Sequence, residues 1–435
     1  MNALLDIGIL SGPAVIAVIV VAGIVAALFV LVRPSTRWRR GTWVVTAVGS
    51  ALAGGLIGAA LTWLIADQMN AFGVDLTFAS RSWIALAFAG TAVALASLWR
   101  ASWKRVVAVP LAVVLFVATA GMGVNIAFGK YPTIRSALGL SAYAGDVLPD
   151  LHIGSTNRPT IAEWTAPAGM PVQGSMASVV IPATVSGFPA RDATVYLPPA
   201  ALTENAPLLP VLIMMSGQPG STDEVFTVGR LRETLDAYAA AHQGLAPIVV
   251  SPDQLGNSDA NPMCVDSPLG NSATYITVDV PNWITAHLPV LPSPGGWGVG
   301  GLSQGGTCSI QLGAQHPELF SAILDASGEE FPTLGDPATT IEKGFGGDAA
   351  RYAAAYPAAI MASKAPYTDM FAVFGVGSAD SAFLPGVKAL YAAAQAAGMT
   401  ATYVESEGNA HDAAAWSYVF SVGLPLIADH WGLNR

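Results

Sequence analysis

Charged side chains are scarce in this sequence. They make up 11% of the 435 residues, whereas hydrophobic residues make up 53%, and the mean hydropathy is +0.51. This charge content excludes an ordinary soluble protein, because soluble domains contain about 25% charged residues. The hydrophobic excess lies in four runs near the N-terminus, over residues 7–32, 43–66, 83–98 and 106–128.

These four runs lack a polar face. Helices from the core of a large soluble domain, the alternative interpretation, would each present one, and the runs contain almost no polar residues. Most of the runs are long enough to cross a bilayer as helices, and the third is the shortest. The sequence therefore predicts an all-α anchor of four transmembrane helices over residues 1–130.

Basic residues are distributed unevenly between the connectors of these runs. The second connector has Asp67, Asp75 and a single basic residue, Arg81. By the positive-inside rule the first and third connectors are cytoplasmic, which predicts a multi-pass plasma-membrane protein with everything after residue 128 outside the cytoplasm. No basic segment or evident cleavage site marks the first run as a signal peptide, so we expect it to remain as an anchor. The first and third connectors hold Arg33, Arg37, Arg39, Arg40, Arg100, Lys104 and Arg105.

Positive charge is scarce beyond the anchor. Residues 1–135 contain ten Lys or Arg and three Asp or Glu, which leaves nine basic and 26 acidic residues, a formal charge of −17, in the remainder. This charge argues against nucleic acid as a partner. A neutral or cationic substrate is easier to accept.

Cysteine is nearly absent. The two cysteines, Cys264 and Cys308, both lie in the part predicted to be exported, where oxidation is permitted. One disulfide is the economical interpretation, and two unpaired buried thiols are the alternative.

The exported part shows three compositional regions. Residues 131–176 are rich in Pro, Gly, Ser and Thr, which indicates a juxtamembrane linker. Residues 177–435 alternate apolar strands with helices, which predicts a mostly parallel sheet covered by helices on both faces, as in the α/β-hydrolase fold. Within them, residues 328–366 form an insertion rich in Gly and Pro, and a cap over the site is one interpretation that the sequence leaves open. The predicted strands include 177–185, 193–197 and 209–215, and the predicted helices include 222–242, 278–287 and 413–430.

One pentapeptide, Gly301-Leu302-Ser303-Gln304-Gly305, has the form of a nucleophile elbow. A short apolar strand precedes it and a helix follows it, which is the strand–turn–helix context that the motif requires. A Gly-x-Ser-x-Gly pattern also occurs by chance in a glycine-rich chain. A serine hydroxyl further needs a base, and the base needs an orienting carboxylate.

His411 is the candidate base. It lies in a turn-rich loop after the last predicted strand, and the order Ser, acid, His is the one expected in this fold. An exposed loop histidine is the alternative. Asp380 follows the preceding strand and is the candidate acid, with Asp325, Glu405 and Glu407 as rivals.

The oxyanion of the reaction needs two backbone N–H donors. Gln304, directly after the nucleophile, is the first candidate, and Gln218, in the loop after the first buried strand, is the second. No metal or organic cofactor is implied.

The candidate site residues and the segments around them resemble the esterase D and antigen 85 mycolyltransferase family of α/β-hydrolases. The resemblance implies Ser303 as nucleophile, Asp380 as acid and His411 as base. The antigen 85 branch has glutamate at the acid position and a basic residue after its oxyanion loop, where this chain has Gln218-Pro219-Gly220, so mycolyl transfer to trehalose is disfavoured. The composition also resembles that of actinobacterial proteins. The matching segments are Gly301 to Gly306, Asp279 to Ile284, Gly408 to His411, and Trp416.

The sequence thus predicts a membrane-anchored serine esterase that acts on lipid, glycolipid or aminoacyl-lipid esters through an acyl-enzyme. An acyltransferase that differs only in its acceptor is the first alternative. The second is a hydrolase fold without activity that serves as a binding module.

Overall fold

A computed structural model describes residues 2–69, 71–151 and 158–434. The chain forms two compact units, Met1–Leu138 and Gly139–Arg435. Residues 152–157 of the predicted linker lie outside the described part.

The N-terminal unit is built from four long helices. Each is long and apolar enough to cross a membrane. A π-helical turn, Trp63–Gln68, extends the second helix, and short helices occur at Asn2–Leu5 and Ile134–Ala137. The long helices are α1 (Pro13–Leu31), α2 (Arg40–Thr62), α3 (Phe78–Ala96) and α4 (Trp103–Phe128).

Small residues let these helices approach one another. A Cβ atom added at Gly123 of α4 would collide with the Trp83 ring of α3. The outward faces carry large apolar side chains instead, and Val45, Leu56 and Leu111 are 74%, 73% and 69% exposed. An exposed apolar surface of this kind is typical of membrane contact. The four helices therefore indicate membrane association of the N-terminal unit.

The second unit is organised around an eight-stranded sheet with the order β1-β2-β4-β3-β5-β6-β7-β8. Strand β2 runs antiparallel to both of its neighbours, and all other pairs are parallel. The α/β-hydrolase fold predicted from the sequence is confirmed. The strands are β1 (Ser175–Val179), β2 (Ala193–Leu197), β3 (Val211–Met215), β4 (Ile248–Ser251), β5 (Trp297–Leu302), β6 (Ala322–Ala326), β7 (Phe371–Gly377) and β8 (Thr400–Ser406).

Helices connect these strands. Strand β3 is buried along its whole length, as expected for the centre of a parallel sheet. The 328–366 insertion contains three of the helices. The helices are α5 (Glu224–Thr227), α6 (Leu231–Ala241), α7 (Val280–His287), α8 (Gln304–Gln315), α9 (Pro337–Phe345), α10 (Ala349–Ala354), α11 (Pro357–Lys364), α12 (Leu384–Ala396) and α13 (Ala413–His430). Shorter elements are the 3-10 turns Ile161–Glu163 and Pro199–Leu202, the helical segments Ser272–Thr274 and Tyr275–Asp279, and a hairpin of Asp266–Ser267 with Gly270–Asn271.

The predicted helix over 222–242 was wrong as a single element. It is broken between α5 and α6, where Arg230 has a φ of 51°. A Cβ atom at Gly229 would lie 2.6 Å from the Phe420 ring, so the backbone at the break packs closely against α13. Helix α5 starts after Asp223, and the nearby Thr222 hydroxyl donates to the Asp192 carbonyl instead of capping the helix.

The predicted strand over 177–185 is also too long. Strand β1 ends at Val179, and Pro182 has no N–H to donate to a ladder. Downstream, the N–H groups of Val185 and Ser186 donate instead to the buried carboxylate of Asp279.

Candidate active site

Ser303 lies on the sharp turn between β5 and α8. Its backbone has φ 54° and ψ −119°, in a region that side chains rarely adopt, and this strain is typical of a nucleophile elbow. A Cβ atom at Gly301 would collide with the Gly305 backbone, and one at Gly305 would collide with the Met215 carbonyl. The glycines are therefore required by the turn itself.

His411 connects Ser303 with Asp380. Its Nε2 atom lies 2.9 Å from the Ser303 Oγ, and its Nδ1 atom lies 2.9 Å from the Asp380 Oδ2. His411 and Asp380 are only 6% and 3% exposed. Nδ1–H donates to the carboxylate, so Nε2 accepts the serine proton, which is the arrangement needed to activate a hydroxyl.

Aromatic rings hold the His411 imidazole from two sides. Phe383 stacks on it with ring centroids 4.0 Å apart, and Trp416 contacts it edge-on at 5.2 Å. The Phe383 N–H also donates to the second oxygen of Asp380 at 3.3 Å. Packing and hydrogen bonding thus fix the base and the acid in one orientation.

The rival acids lie elsewhere. Asp325, at the end of β6, is fully buried and accepts the Gly328 N–H at 2.8 Å, and burial raises its pKa to about 8. Glu405 accepts from the Tyr403 hydroxyl and pairs with Lys388 at 3.2 Å. Glu407 is exposed beyond the end of β8. Of the four candidates, Asp380 is the one whose carboxylate contacts His411.

Gln304 and the loop after β3 lie on the side of the site where the sequence predicts the oxyanion donors. Gln304 begins α8, so its N–H has no partner within that helix. In the loop, the Gly217 N–H donates to the buried Glu224 carboxylate at 3.1 Å. Because the Gly217 N–H already has this partner, the next N–H, that of Gln218, is the candidate donor to the oxyanion. The role of Gln218 stays a prediction.

The Gln304 side chain is anchored behind the site. Its Oε1 atom accepts from Gln254 at 2.9 Å, and its Nε2 atom donates to Asn261 at 3.1 Å and lies 3.2 Å from the Cys308 Sγ. A disulfide joins Cys308 to Cys264, with Cα atoms 5.5 Å apart. The loop that contains Asn261 and Cys264 is thereby tied to α8, the nucleophile helix, which begins directly after Ser303.

The 328–366 insertion starts beside the nucleophile helix. The Glu329 N–H donates to the Thr307 hydroxyl, one turn after Ser303, at 2.8 Å. Burial raises the pKa of Glu329 to about 7. The Asn261 amide donates to the Thr333 carbonyl at 3.0 Å, which connects the insertion to the disulfide loop. That the insertion caps the site stays a hypothesis.

Sequence reasoning did not identify Glu224, Gln254 or Asn261 as parts of the site. Their roles depend on contacts between segments that are distant in the chain. Within residues 2–69, 71–151 and 158–434, no cluster of three or more His, Cys, Asp or Glu side chains is placed to hold a metal ion.

Comparison with known proteins gives a family match. The model of a family described as "Putative esterase" matches residues 190–423. An uncharacterized protein of Corynebacterium glutamicum is 31% identical over 443 aligned residues, which cover 100% of both chains.

Solved structures are similar to about 60% of the chain. An S-formylglutathione hydrolase from Agrobacterium tumefaciens is 20% identical with a TM-score of 0.49, covering 60% of this chain and 97% of that one. MPT51 of Mycobacterium tuberculosis is 18% identical with a TM-score of 0.44, covering 60% of this chain and 99% of that one.

Proposed function

This chain belongs to the putative esterase family and is a serine hydrolase of carboxylic esters; we propose that it acts outside the cytoplasm, anchored by its four N-terminal helices, on esters in or near the membrane. Ser303, His411 and Asp380 are the proposed catalytic triad. The substrates are acyl lipids, glycolipids or aminoacyl-lipids.

The contact of His411 with both Ser303 and Asp380, at 2.9 Å each, carries this proposal. These residues belong to three separate segments, since 108 residues separate Ser303 from His411 and 31 separate Asp380 from His411. A histidine without a function in an exposed loop would be solvated. His411 is instead buried between the Ser303 hydroxyl and the Asp380 carboxylate. The arrangement supports acyl transfer chemistry.

The reaction has two steps. The Ser303 Oγ attacks the ester carbonyl carbon while His411 Nε2 takes the hydroxyl proton, and the Gln304 and Gln218 N–H groups stabilise the oxyanion. Collapse of the tetrahedral intermediate breaks the carbon–oxygen bond, and His411 returns the proton to the leaving alcohol. Water then attacks the acyl-enzyme by the same route and releases the acid. Asp380 holds the imidazole and stabilises its cationic form.

The anchor supports a substrate within the membrane surface. A catalytic unit tethered to the bilayer meets membrane esters at a high effective concentration. The formal charge of −17 beyond residue 135 favours neutral or cationic esters over anionic ones.

A fluorophosphonate probe tests the chemistry, because it reacts with an activated serine. The full-length chain and a control, Ser421→Ala on the exposed side of α13, should both be labelled. Ser303→Ala should not be labelled. A folded wild-type chain that the probe leaves unlabelled would contradict the enzyme proposal and favour a binding module.

The location needs a separate experiment. Protease added to intact spheroplasts should digest the unit from residue 139 onward, and full protection would contradict an extracytoplasmic site. Lipid profiles of a strain with Ser303→Ala then identify the substrate, since one ester should accumulate. Loss of one ester species would indicate acyl transfer instead.

A further inference from the structure

An apolar groove of about 330 Å³ runs between the helices of the N-terminal unit. Helices α1 and α3 form most of its walls, and α2 and α4 contribute a few side chains. Apart from Thr119, its walls are hydrocarbon and aromatic rings. Lining residues include Gly23, Ala26, Phe29, Trp83, Gly90 and Phe116.

The length of the groove matches one leaflet of a bilayer. Along α1 the lining extends from Ile19 to Val30. At 1.5 Å per residue this is about 16 Å, roughly half of the ~30 Å hydrocarbon core. The groove therefore has the depth of one acyl chain and not of a full span.

One end of the groove meets the basic end of the unit. Phe29 and Val30 lie in the last turn of α1, just before the first connector. Val93 lies near the end of α3, before the third connector. These two connectors hold seven Lys or Arg residues and no Asp or Glu. At the other ends of the helices, the carboxylate of Asp67 pairs with Arg81. The carboxylate of Asp6 pairs with Arg135.

Arg105 joins the basic end to the groove. Its guanidinium carbon lies 3.9 Å from the centroid of the Phe29 ring, and Nη2 donates to the carbonyls of Phe29 and Val32 at 2.8 and 3.0 Å. In the described part of the chain, its buried Nε atom has no hydrogen-bond partner. A fixed cation thus lies where the apolar wall ends.

We propose that this groove binds one acyl chain of an anionic phospholipid of the cytoplasmic leaflet, with its phosphate among the basic residues of the two connectors. The proposal rests on the membrane insertion proposed above. An unfilled groove in a bilayer would forfeit packing contacts along its walls, and a lipid chain restores them. The cationic end selects the headgroup, because basic clusters beside a membrane helix attract anionic lipids.

Filling the groove tests the apolar part. A Cβ atom at Gly23 meets no atom within 4 Å, and Gly23 lines the groove, so Gly23→Phe adds a ring to the groove wall from an unobstructed Cβ position. Gly49→Phe on α2 is the matched control, because its Cβ atom is equally unobstructed and Gly49 does not line the groove. Native mass spectrometry of the full-length chain, reconstituted with phosphatidylglycerol, should show at least tenfold less bound lipid for Gly23→Phe than for Gly49→Phe. Both variants must elute as single species.

Removing charge tests the headgroup. The triple variant Arg37→Gln, Arg39→Gln, Arg40→Gln should lose the preference for phosphatidylglycerol over phosphatidylcholine, whereas Lys130→Gln at the opposite end should keep it. Equal lipid binding by Gly23→Phe and Gly49→Phe would overturn the site, and so would equal binding of the two lipids by the wild type. Carbonate extraction of membranes checks insertion separately, since a chain released by carbonate would contradict the anchor itself.

Discussion

The Nε2 atom of His411 lies 2.9 Å from the Oγ atom of Ser303, although 108 residues separate them in the chain. Ser303 comes from a strained turn at the end of β5, and His411 from the loop that follows β8. Because both loops lie at the carboxyl ends of parallel strands, the fold brings them to one edge of the sheet.

Replacing Asp380 should separate the true acid from its buried rival. Asp380→Asn removes the carboxylate that orients His411, and we expect kcat to fall by roughly 10³- to 10⁴-fold. Asp325→Asn should leave kcat within about threefold, because the Asp325 carboxylate does not contact the imidazole. Steady-state kinetics with a soluble ester measure both. A larger loss in Asp325→Asn than in Asp380→Asn would reverse the assignment.

We expect Glu224 to act as a positioning residue for the predicted oxyanion loop, because its carboxylate accepts the Gly217 N–H. Glu224→Ala frees the Gly217 N–H and should lower kcat by about tenfold or more, less than the 10²- to 10³-fold loss of a direct oxyanion donor. KM should change little, because the effect arises in the transition state. Glu224→Gln keeps an acceptor oxygen and should recover most of the rate. A change confined to KM would contradict this role.

The disulfide should stabilise the hydrolase unit. Cys264 and Cys308 close a loop with a separation of 44 residues, which corresponds to about 4 kcal/mol in the chain-entropy model. The double variant Cys264→Ala, Cys308→Ala should therefore unfold at lower denaturant concentration than the oxidised wild type. Reduced wild type should behave like the variant, and identical midpoints for all three samples would contradict the prediction.

Asp325 should make stability depend on pH. Burial raises its pKa to about 8 from an ordinary value of 3.8, so the folded state holds a proton that the unfolded state has lost between these values. Stability should then fall as pH rises through this window, by at most about 1.4 kcal/mol per pH unit, and level off above pH 8.

Comparing unfolding midpoints at pH 5 and pH 8 checks this effect. Asp325→Asn should lose less stability over this interval than the wild type, since asparagine mimics the protonated acid. Glu329, whose pKa is raised to about 7, contributes in the same direction and should keep the variant from becoming fully independent of pH. Asp369→Asn, at an exposed carboxylate, should follow the wild type. A wild-type stability that rises over this interval would contradict a buried neutral Asp325.

Much of the fold could be predicted from local patterns. The predicted strand over 193–197 and the predicted helix over 413–430 match β2 and α13, because apolar runs and flanking turn residues define both elements. The helix over 222–242 could not be predicted correctly. Its break depends on the contact of Gly229 with Phe420, which lies 191 residues further along the chain.

The site was predictable where it depends on motif and order. The pentapeptide points to Ser303, and the positions after successive strands point to Asp380 and His411. The structure brings these three side chains together, and their catalytic roles stay predictions. Glu224 was not found, because its carboxylate serves a backbone N–H that no side-chain pattern reveals. The same holds for Asn261 and Gln254, which contact Gln304 only after the loop folds over the nucleophile helix.

In a chain exported as proposed, the disulfide beside Gln304 would also set the point at which maturation is complete. Thiols stay reduced in the cytoplasm and are oxidised after export. On the proposed topology, the bond that ties the Asn261 loop to the nucleophile helix would therefore form only after the hydrolase unit has crossed the membrane. Oxidation of the two cysteines would then be the last step of maturation, and any copy held back in the cytoplasm would lack this bond.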